Sequence, residues 1–305
     1  MINFFKKPKI LVTHDGSFHA DDVFACAILQ IYLENIGESF KIIRTRDEEI
    51  INKADYVFDV GNIYDPDKNR FDHHQKGRAG ARENGIMYAA AGLVWKHFGD
   101  KLVKHKEVLE FLDKRIFQPL DSADNGQDLV KSLYGDIFPY STPSIVSIFN
   151  LSWNEKGDSL KQFKDLVFIA KTILKREIFQ TNQNFEAQKD ILDLYQKSED
   201  KKIVVLDKPY SRAEITKALV SLEEPVYFIY PKEGGNAWKI EALRKTFDSF
   251  ESRKPFPESW AGLRDEDFQK VSGISDAMFA HDGRFYCVVE SKESALELAK
   301  LAINS

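Results

Sequence analysis

With 305 residues, 43% hydrophobic and 30% charged, the chain is long enough for one large domain or two ordinary ones, and it is neither disordered nor fibrous in composition. A net charge of -5 leaves no global basic field for duplex nucleic acid. Two cysteines, Cys26 and Cys287, lie far apart in apolar stretches and read as buried thiols of a reducing compartment rather than as a disulfide framework.

The start, MINFFKKPKILVTHDG, lacks the long apolar core of a signal peptide, and no apolar window reaches the length of a membrane span. A cytoplasmic protein with no membrane partner is expected. KILVTH (9–14) is a short β-rich run that predicts a strand ending at His14. DGSFHADD is loop, and VFACAILQIYLENIG is a buried helix stopping at Gly37. FKIIRTR (40–46) and ADYVFDVG (54–61) are further strands, and NIYDPDKNRFDHH is a turn with a return strand. This alternation predicts a mostly parallel α/β sheet. From Asn84 to about Tyr195 the pattern is mainly helical. IMYAAAGLVWKHFG carries small residues fit for close packing, and VLEFLDKRIFQPLDSADNG reads as a helix broken by Pro119. Residues 160–198 hold no Gly or Pro and form one or two long helices. From Lys201 the β signal returns in KKIVVLD, PVYFIYP, AWKIEAL and RFYCVVES, with helices SRAEITKALVSL and ESALELAKLAI. The expected organisation is residues 1–198, a metal-binding α/β domain with a helical connector, and 199–305, a smaller substrate-binding α/β domain.

The polar residues at the predicted strand ends carry the chemistry. The first strand delivers His14, and the loop after it brings His19, Asp21 and Asp22. The third delivers Asp59, and the return strand delivers Asp72, His73 and His74. Taken singly, each has an ordinary explanation: a strand-end histidine, a helix N-terminus, a turn cap. Together they fall on the rim where parallel sheets bind ligands. Several carboxylates in a small volume do not all stay ionised without cations. Mixed imidazole and carboxylate ligation suits Mn²⁺, Fe²⁺ or Zn²⁺, and the count exceeds the needs of one ion. PLDSADNGQ adds Asp121 and Asp124, either of which fits as a last ligand. His97 and His105, beside Lys96 and Lys104, read as solvated.

THDGSFHADDVFA (13–25), DVGNIYDPDKNRFDHHQKG (59–77), AAGLVWKHFG (90–99), DSADNG (121–126) and SFESRKPFPESWAGLRDEDFQKVSGI (249–274) resemble the melanocyte-proliferating-gene protein family. That family lies within the DHH phosphoesterase superfamily, named for the Asp-His-His found here at 72–74. The resemblance implies two divalent ions, Mn²⁺ by preference. It implies His14, His19, Asp21, Asp59 and His73 as ligands, with Asp59 bridging and Asp124 the better fit for the last acid, Asp121 close behind. Asp22, Asp72 and His74 complete the implied catalytic set, His74 lying toward the scissile phosphate. FAHDGRFYCVVESKESALELA (279–299) resembles the superfamily's closing substrate segment and offers His281 and Arg284.

Two such cations lower the pKa of a bridging water, whose hydroxide attacks phosphorus in line. Arg253, Lys254 and Arg264 form a basic set for a nucleic-acid backbone, and Trp260 is a base-stacking candidate. The resemblance implies 3′–5′ exonuclease action on RNA or short single-stranded nucleic acid, with a homo-oligomer possible. A hydrolase of dinucleotides or pyrophosphate is the alternative, and a non-catalytic metal-bound nucleic-acid-binding or regulatory protein a third reading.

Overall fold

The computed structural model describes residues 7–305. The leader reading of Met1–Lys6 lies outside the described residues. Two compact units are present, one running to Asn182 and the other Gln183–Ser305. No helix among the described residues is long and apolar enough to cross a membrane.

In the first unit, β1 (Lys9–Thr13), β2 (Phe40–Arg44), β3 (Tyr56–Phe58), β4 (Tyr64–Asp65) and β5 (Arg70–Phe71) form one sheet in the order β2-β1-β3-β5-β4. The four strands from β2 to β5 run parallel, and only β4 is antiparallel. Leu11, Val12, Val57, Phe58 and Phe71 are fully buried, as expected when both faces of a parallel sheet are covered. Parallel pairing fixes the outcome for function: β1, β3 and β5 end at the same edge, so the residues after them converge.

Helix α1 (Ala20–Asn35) is buried along nearly its whole length and ends before Gly37, whose φ of 71° supplies the left-handed turn. A short α2 (Glu48–Lys53), capped by Asp47, was not evident in the sequence because its six residues are too few for a period. Helix α3 (Ala90–Phe98) packs on α1, and its first turn holds the small buried residues Ala90, Ala91 and Gly92. The predicted break at Pro119 does not occur. Helix α4 (Lys106–Leu112) continues through a π-helical turn (Asp113–Phe117) into α5 (Gln118–Asp124). Pro119 falls directly after the π-helical turn, at the second residue of α5. After the small α6 (Thr142–Ser147), α7 (Ser159–Lys197) is a single 39-residue helix.

The second unit takes the last turns of α7, because Ile191, Leu192, Leu194 and Tyr195 pack into its core. Its sheet contains β6 (Ile203–Val205), β7 (Tyr227–Pro231), β8 (Trp238–Ala242), β9 (Ala277–Ala280) and β10 (Tyr286–Val289) in the order β6-β7-β8-β10-β9. Only β6 and β7 are parallel. One face packs on α9 (Asp265–Ser272) and α10 (Lys292–Asn304) around Ile240, Cys287, Phe268 and Leu298. The other meets α8 (Arg212–Leu219) through Val204, Phe228 and Tyr230.

One contact couples α3 to α5. The Gly92 N–H donates to Asp121 Oδ1 (2.9 Å), and Arg82 Nη1 donates to Asp121 Oδ2 (2.8 Å). A Cβ at residue 92 would stand 1.8 Å from Asp121 Oδ2. Gly92→Ala should therefore destabilise the protein by about 2 kcal/mol or more, as overpacking of a well-filled core does. Urea unfolding monitored by circular dichroism checks this; a midpoint equal to wild type would mean that the helices part without cost.

Candidate metal centre

The carboxyl ends of three parallel strands meet here. His14 follows β1, Asp59 follows β3 and Asp72 follows β5, with His73 and His74 next in line. Asp59 is almost fully buried and adopts a left-handed backbone, φ 54°, with Asn62 (φ 56°) and Gly61 (φ 97°) close after it. A non-glycine residue in this region is strained, and aspartate tolerates it better than most. The turn aims its carboxylate back across the strand ends.

Asp59 is the hub. Its Oδ2 lies 3.1 Å from His14 Nε2, and its Oδ1 lies 3.4 Å from His73 Nε2 and 3.5 Å from His74 Nδ1. His73 Nε2 is also 3.1 Å from Asp124 Oδ2, and His19 Nδ1 is 4.0 Å from Asp124 Oδ1. Ligand atoms gather within 4.8 Å in three overlapping sets: Asp59 with Asp72, His73 and His74; His14 with His19 and Asp59; His19 with Asp21 and Asp124. Asp59 joins the first two sets, and His19 the last two.

The outer contacts orient this group. His14 Nδ1 donates to the Asp15 carbonyl (2.8 Å), which turns Nε2 toward the centre. Asp22 Oδ1 accepts from the His19 N–H (3.0 Å) and caps α1, while its Oδ2 lies 3.4 Å from His14 Nε2. Asp72 accepts from the N–H groups of Asn62, His73 and His74 and contacts His74 Nδ1 at 2.8 Å. Every side of that carboxylate is in use. Asp72 therefore holds the two histidines in place, and its carboxylate also lies in the set formed with Asp59, His73 and His74.

The electrostatics are those of a cation site. Burial pushes the Asp21 carboxyl well above its usual range, and the charges of Asp59 and Asp124 add to this. Burial first and the Asp59 charge second push Asp22 up to about 8. Burial opposes a charged His73, but Asp124 and Asp59 outweigh it and lift the ring to about 10. Burial likewise opposes ionisation of Asp59, but the His14 and His73 rings hold it below the carboxylate range. Both oxygens of Asp21, Oδ2 of Asp22, Oδ1 of Asp59 and both ring nitrogens of His73 are buried without a hydrogen bond among the described residues. Buried polar atoms of mixed nitrogen and oxygen type, short of hydrogen bonds in one small volume, fit transition-metal ligation.

Of the two candidates for the last acid, Asp124 enters the centre. Asp121 does not, because Arg82 and the Gly92 N–H occupy its oxygens. His97 is half-buried against the Phe71 and Phe98 rings rather than fully solvated.

The basic set expected in the second unit separates. Arg253 donates to the carbonyls of Val220, Leu222, Glu223 and Pro225, so its guanidinium ties loops together. Lys254 Nζ donates to the Ile303 carbonyl. Trp260 is buried between Phe256 and Phe268 and offers no face to a base. These three expectations are corrected: the groups are spent on the fold. Arg264 remains exposed, its guanidinium 4.6 Å from the Phe279 ring centroid. His281 and Arg284 sit in the β9–β10 turn, with Arg284 at φ 55° and His281 Nδ1 accepting from the Gly283 N–H. The sequence reading missed their neighbours, Arg212 over Phe285 (4.8 Å) and Lys239 over Tyr286 (5.7 Å). Only the antiparallel register reveals that Lys239, Tyr286 and Phe279 share a sheet face.

Fold and site thus define an α/β protein with a buried carboxylate–imidazole centre at the ends of parallel strands. Residues 10–303 match the family model MYG1_exonuc, described as "Uncharacterised protein family (UPF0160)". The chain belongs to this family. It is 33% identical to the MYG1 protein of Chlamydia muridarum over 97% of both chains. It is 31% identical to the MYG1 protein of Dictyostelium discoideum over 96% of both, and 30% identical to the MYG1 exonuclease of Homo sapiens over 97% of this chain and 86% of that one. Among solved structures, exonuclease RecJ bound to manganese aligns over 97% of this chain and 90% of its own, at 12% identity and a TM-score of 0.28, a likeness too slight to bear on fold or chemistry.

The pH dependence follows from the proton balance. Folded Asp22 keeps a proton to about 8 that an ordinary carboxyl releases near 3.8, so the stability it contributes is full below about 4 and lost as pH rises through 8. The His73 contribution is full below 6.5 and lost as pH rises through about 10. Metal ligation displaces the His73 proton, and a cation nearby disfavours the proton on Asp22, which lies outside the ligand sets. Without metal the thermal midpoint should fall between about pH 5 and 9, and the gain in midpoint on adding Mn²⁺ should grow over that range. Scanning fluorimetry across the range checks both slopes; a Mn²⁺ effect that shrinks with rising pH would count against ligation by His73.

Proposed function

We propose that this protein is a metal-dependent exonuclease that trims single-stranded or short nucleic acid, with RNA as substrate and 3′–5′ as the direction. The observation that carries the reading is Asp59, with His14 against one oxygen and His73 and His74 against the other. The names of the human and bovine relatives, "MYG1 exonuclease", support it. His14, His19, Asp21, Asp59, His73 and Asp124 would hold two divalent ions, and Mn²⁺ suits their mixed donors. Bound there, such ions supply Lewis acidity and a water acidic enough to ionise near neutrality.

The chain's own groups do the rest. Asp72 fixes the His74 ring through Nδ1, and the ring is exposed on the outer side of the centre. From there it donates to a phosphate oxygen of the substrate. Asp22 keeps the His19 backbone and the His14 ring in register. In the second unit, Arg264 and Arg284 supply cationic contacts to the substrate backbone, and Phe279 and Tyr286 supply half-buried rings beside them. A cytoplasmic location accords with this reading.

The test is purified protein with Mn²⁺ on end-labelled RNA and DNA ladders, a dinucleotide and pyrophosphate. Stepwise shortening of RNA from its 3′ end is expected. Turnover of the dinucleotide or pyrophosphate alone would replace this reading with that of a small-molecule phosphohydrolase. Asp59→Asn should lose at least about 10²-fold in kcat, the scale of a strong electrostatic catalytic contribution. Asparagine also tolerates the left-handed backbone, so the fold should survive, and near-normal activity of the folded variant would argue against a shared carboxylate between two ions.

Arg264→Ala should raise KM for an oligonucleotide more than it lowers kcat, the mark of lost uniform binding. The effect should shrink at high salt, since cationic phosphate contacts release counterions. Equal losses on long and minimal substrates, with a lowered thermal midpoint, would assign Arg264 to the packing of α9 instead.

A further inference from the structure

The loop that carries the first ligands has little internal support. Asp15–Phe18 link β1 to α1 and turn at Gly16, φ 83°. His14 precedes this loop, and His19 caps the helix that follows it. What holds the loop comes from elsewhere in the chain. Arg44, the last residue of β2, donates through Nη2 to the Gly16 carbonyl (2.8 Å) and through Nη1 to Ser159 Oγ (2.7 Å). Its guanidinium lies 5.1 Å from the Phe18 ring centroid and 5.0 Å from that of Phe163. Those two buried rings meet edge to face at 5.7 Å. Asn150 completes the clamp. Its Oδ1 accepts from the Phe18 N–H (2.8 Å), and its Nδ2 donates to the Phe18 carbonyl (2.9 Å). One amide side chain thus satisfies both backbone groups of the residue beside His19, from 132 positions away.

We infer that Arg44, Asn150 and Ser159 are positioning residues that hold the His14–His19 loop in its ligating geometry and so set the metal affinity of the centre. The inference rests on the metal-centre reading given above. None of the three is a ligand. Their contribution is to hold an arrangement that a short, glycine-containing loop would otherwise sample among others. Groups that orient metal ligands through hydrogen bonds typically carry about 10- to 100-fold in affinity. The planar amide of Asn150 and the forked guanidinium of Arg44 each make two directed bonds, so near relatives fail: aspartate cannot donate to the Phe18 carbonyl, and lysine cannot fork.

The experiment is Mn²⁺ titration by isothermal calorimetry on wild type, Asn150→Ala, Asn150→Asp and Arg44→Lys, with thermal midpoints of the metal-free proteins measured alongside. Mn²⁺ binding should weaken about tenfold or more in Asn150→Ala and by less in Asn150→Asp and Arg44→Lys, in proteins of native circular dichroism. A lowered midpoint with Mn²⁺ affinity within about twofold of wild type would assign these contacts to stability alone and overturn the inference. Should Asn150→Ala fail to fold, the same criterion applies to Arg44→Lys and Asn150→Asp. Wild type that binds Mn²⁺ tightly but cleaves no nucleic acid would sink the exonuclease reading and leave this one standing. Wild type that binds no Mn²⁺ would sink this inference together with the metal centre.

Discussion

Mutual repulsion among Asp21, Asp22 and Asp59 is the constraint on which the first unit is built. Three carboxylates are buried within one small volume, and only Asp59 has enough imidazole about it to stay ionised unaided. Burying unpaired acids costs several kcal/mol each unless they are protonated or neutralised by cations. Parallel pairing of β1 and β3 brings Asp59 to the sheet edge where β1 ends, and the first turn of α1, entered from β1, carries Asp21 and Asp22. Helices α1, α3 and α5 then close the back of the site, and the Arg82–Asp121–Gly92 contact keeps α5 where Asp124 reaches His73.

Much of this was legible in the sequence for a physical reason. Strand ends, a helix cap and an Asp-His-His run are local patterns, and the direction of a parallel sheet converts them into one rim. His14, Asp59 and His73 could be placed together from three short β runs. The choice between Asp121 and Asp124 could not. Three residues apart on α5, they differ only in what meets them across space, and Arg82 is 39 residues from Asp121. The same limit hid Arg44 and Asn150, whose bonds to the Gly16–Phe18 backbone leave no trace in spacing.

The second unit shows the opposite failure. Arg253, Lys254 and Trp260 looked like a nucleic-acid surface because cations and an aromatic ring cluster in sequence. In the fold the cations close carbonyl groups of adjoining loops and the chain end, and the ring fills the core. Residue type does not distinguish a donor spent on backbone from one open to a ligand. Strand register does, and it gathers Lys239, Phe279 and Tyr286 from three separate strands.

The left-handed backbone of Asp59 sets two demands against each other. Conformation alone would favour glycine there, while the centre requires a carboxylate with both oxygens engaged. Glycine would relax the chain and empty the hub; glutamate would keep the charge but misplace it on a backbone that longer side chains resist. Few single replacements satisfy one demand without breaking the other, so the position has almost no neutral neighbours. Sequence drift around it is expected to fall on Ile63, whose side chain is exposed, rather than on residue 59 or on Asn62, which shares the left-handed backbone.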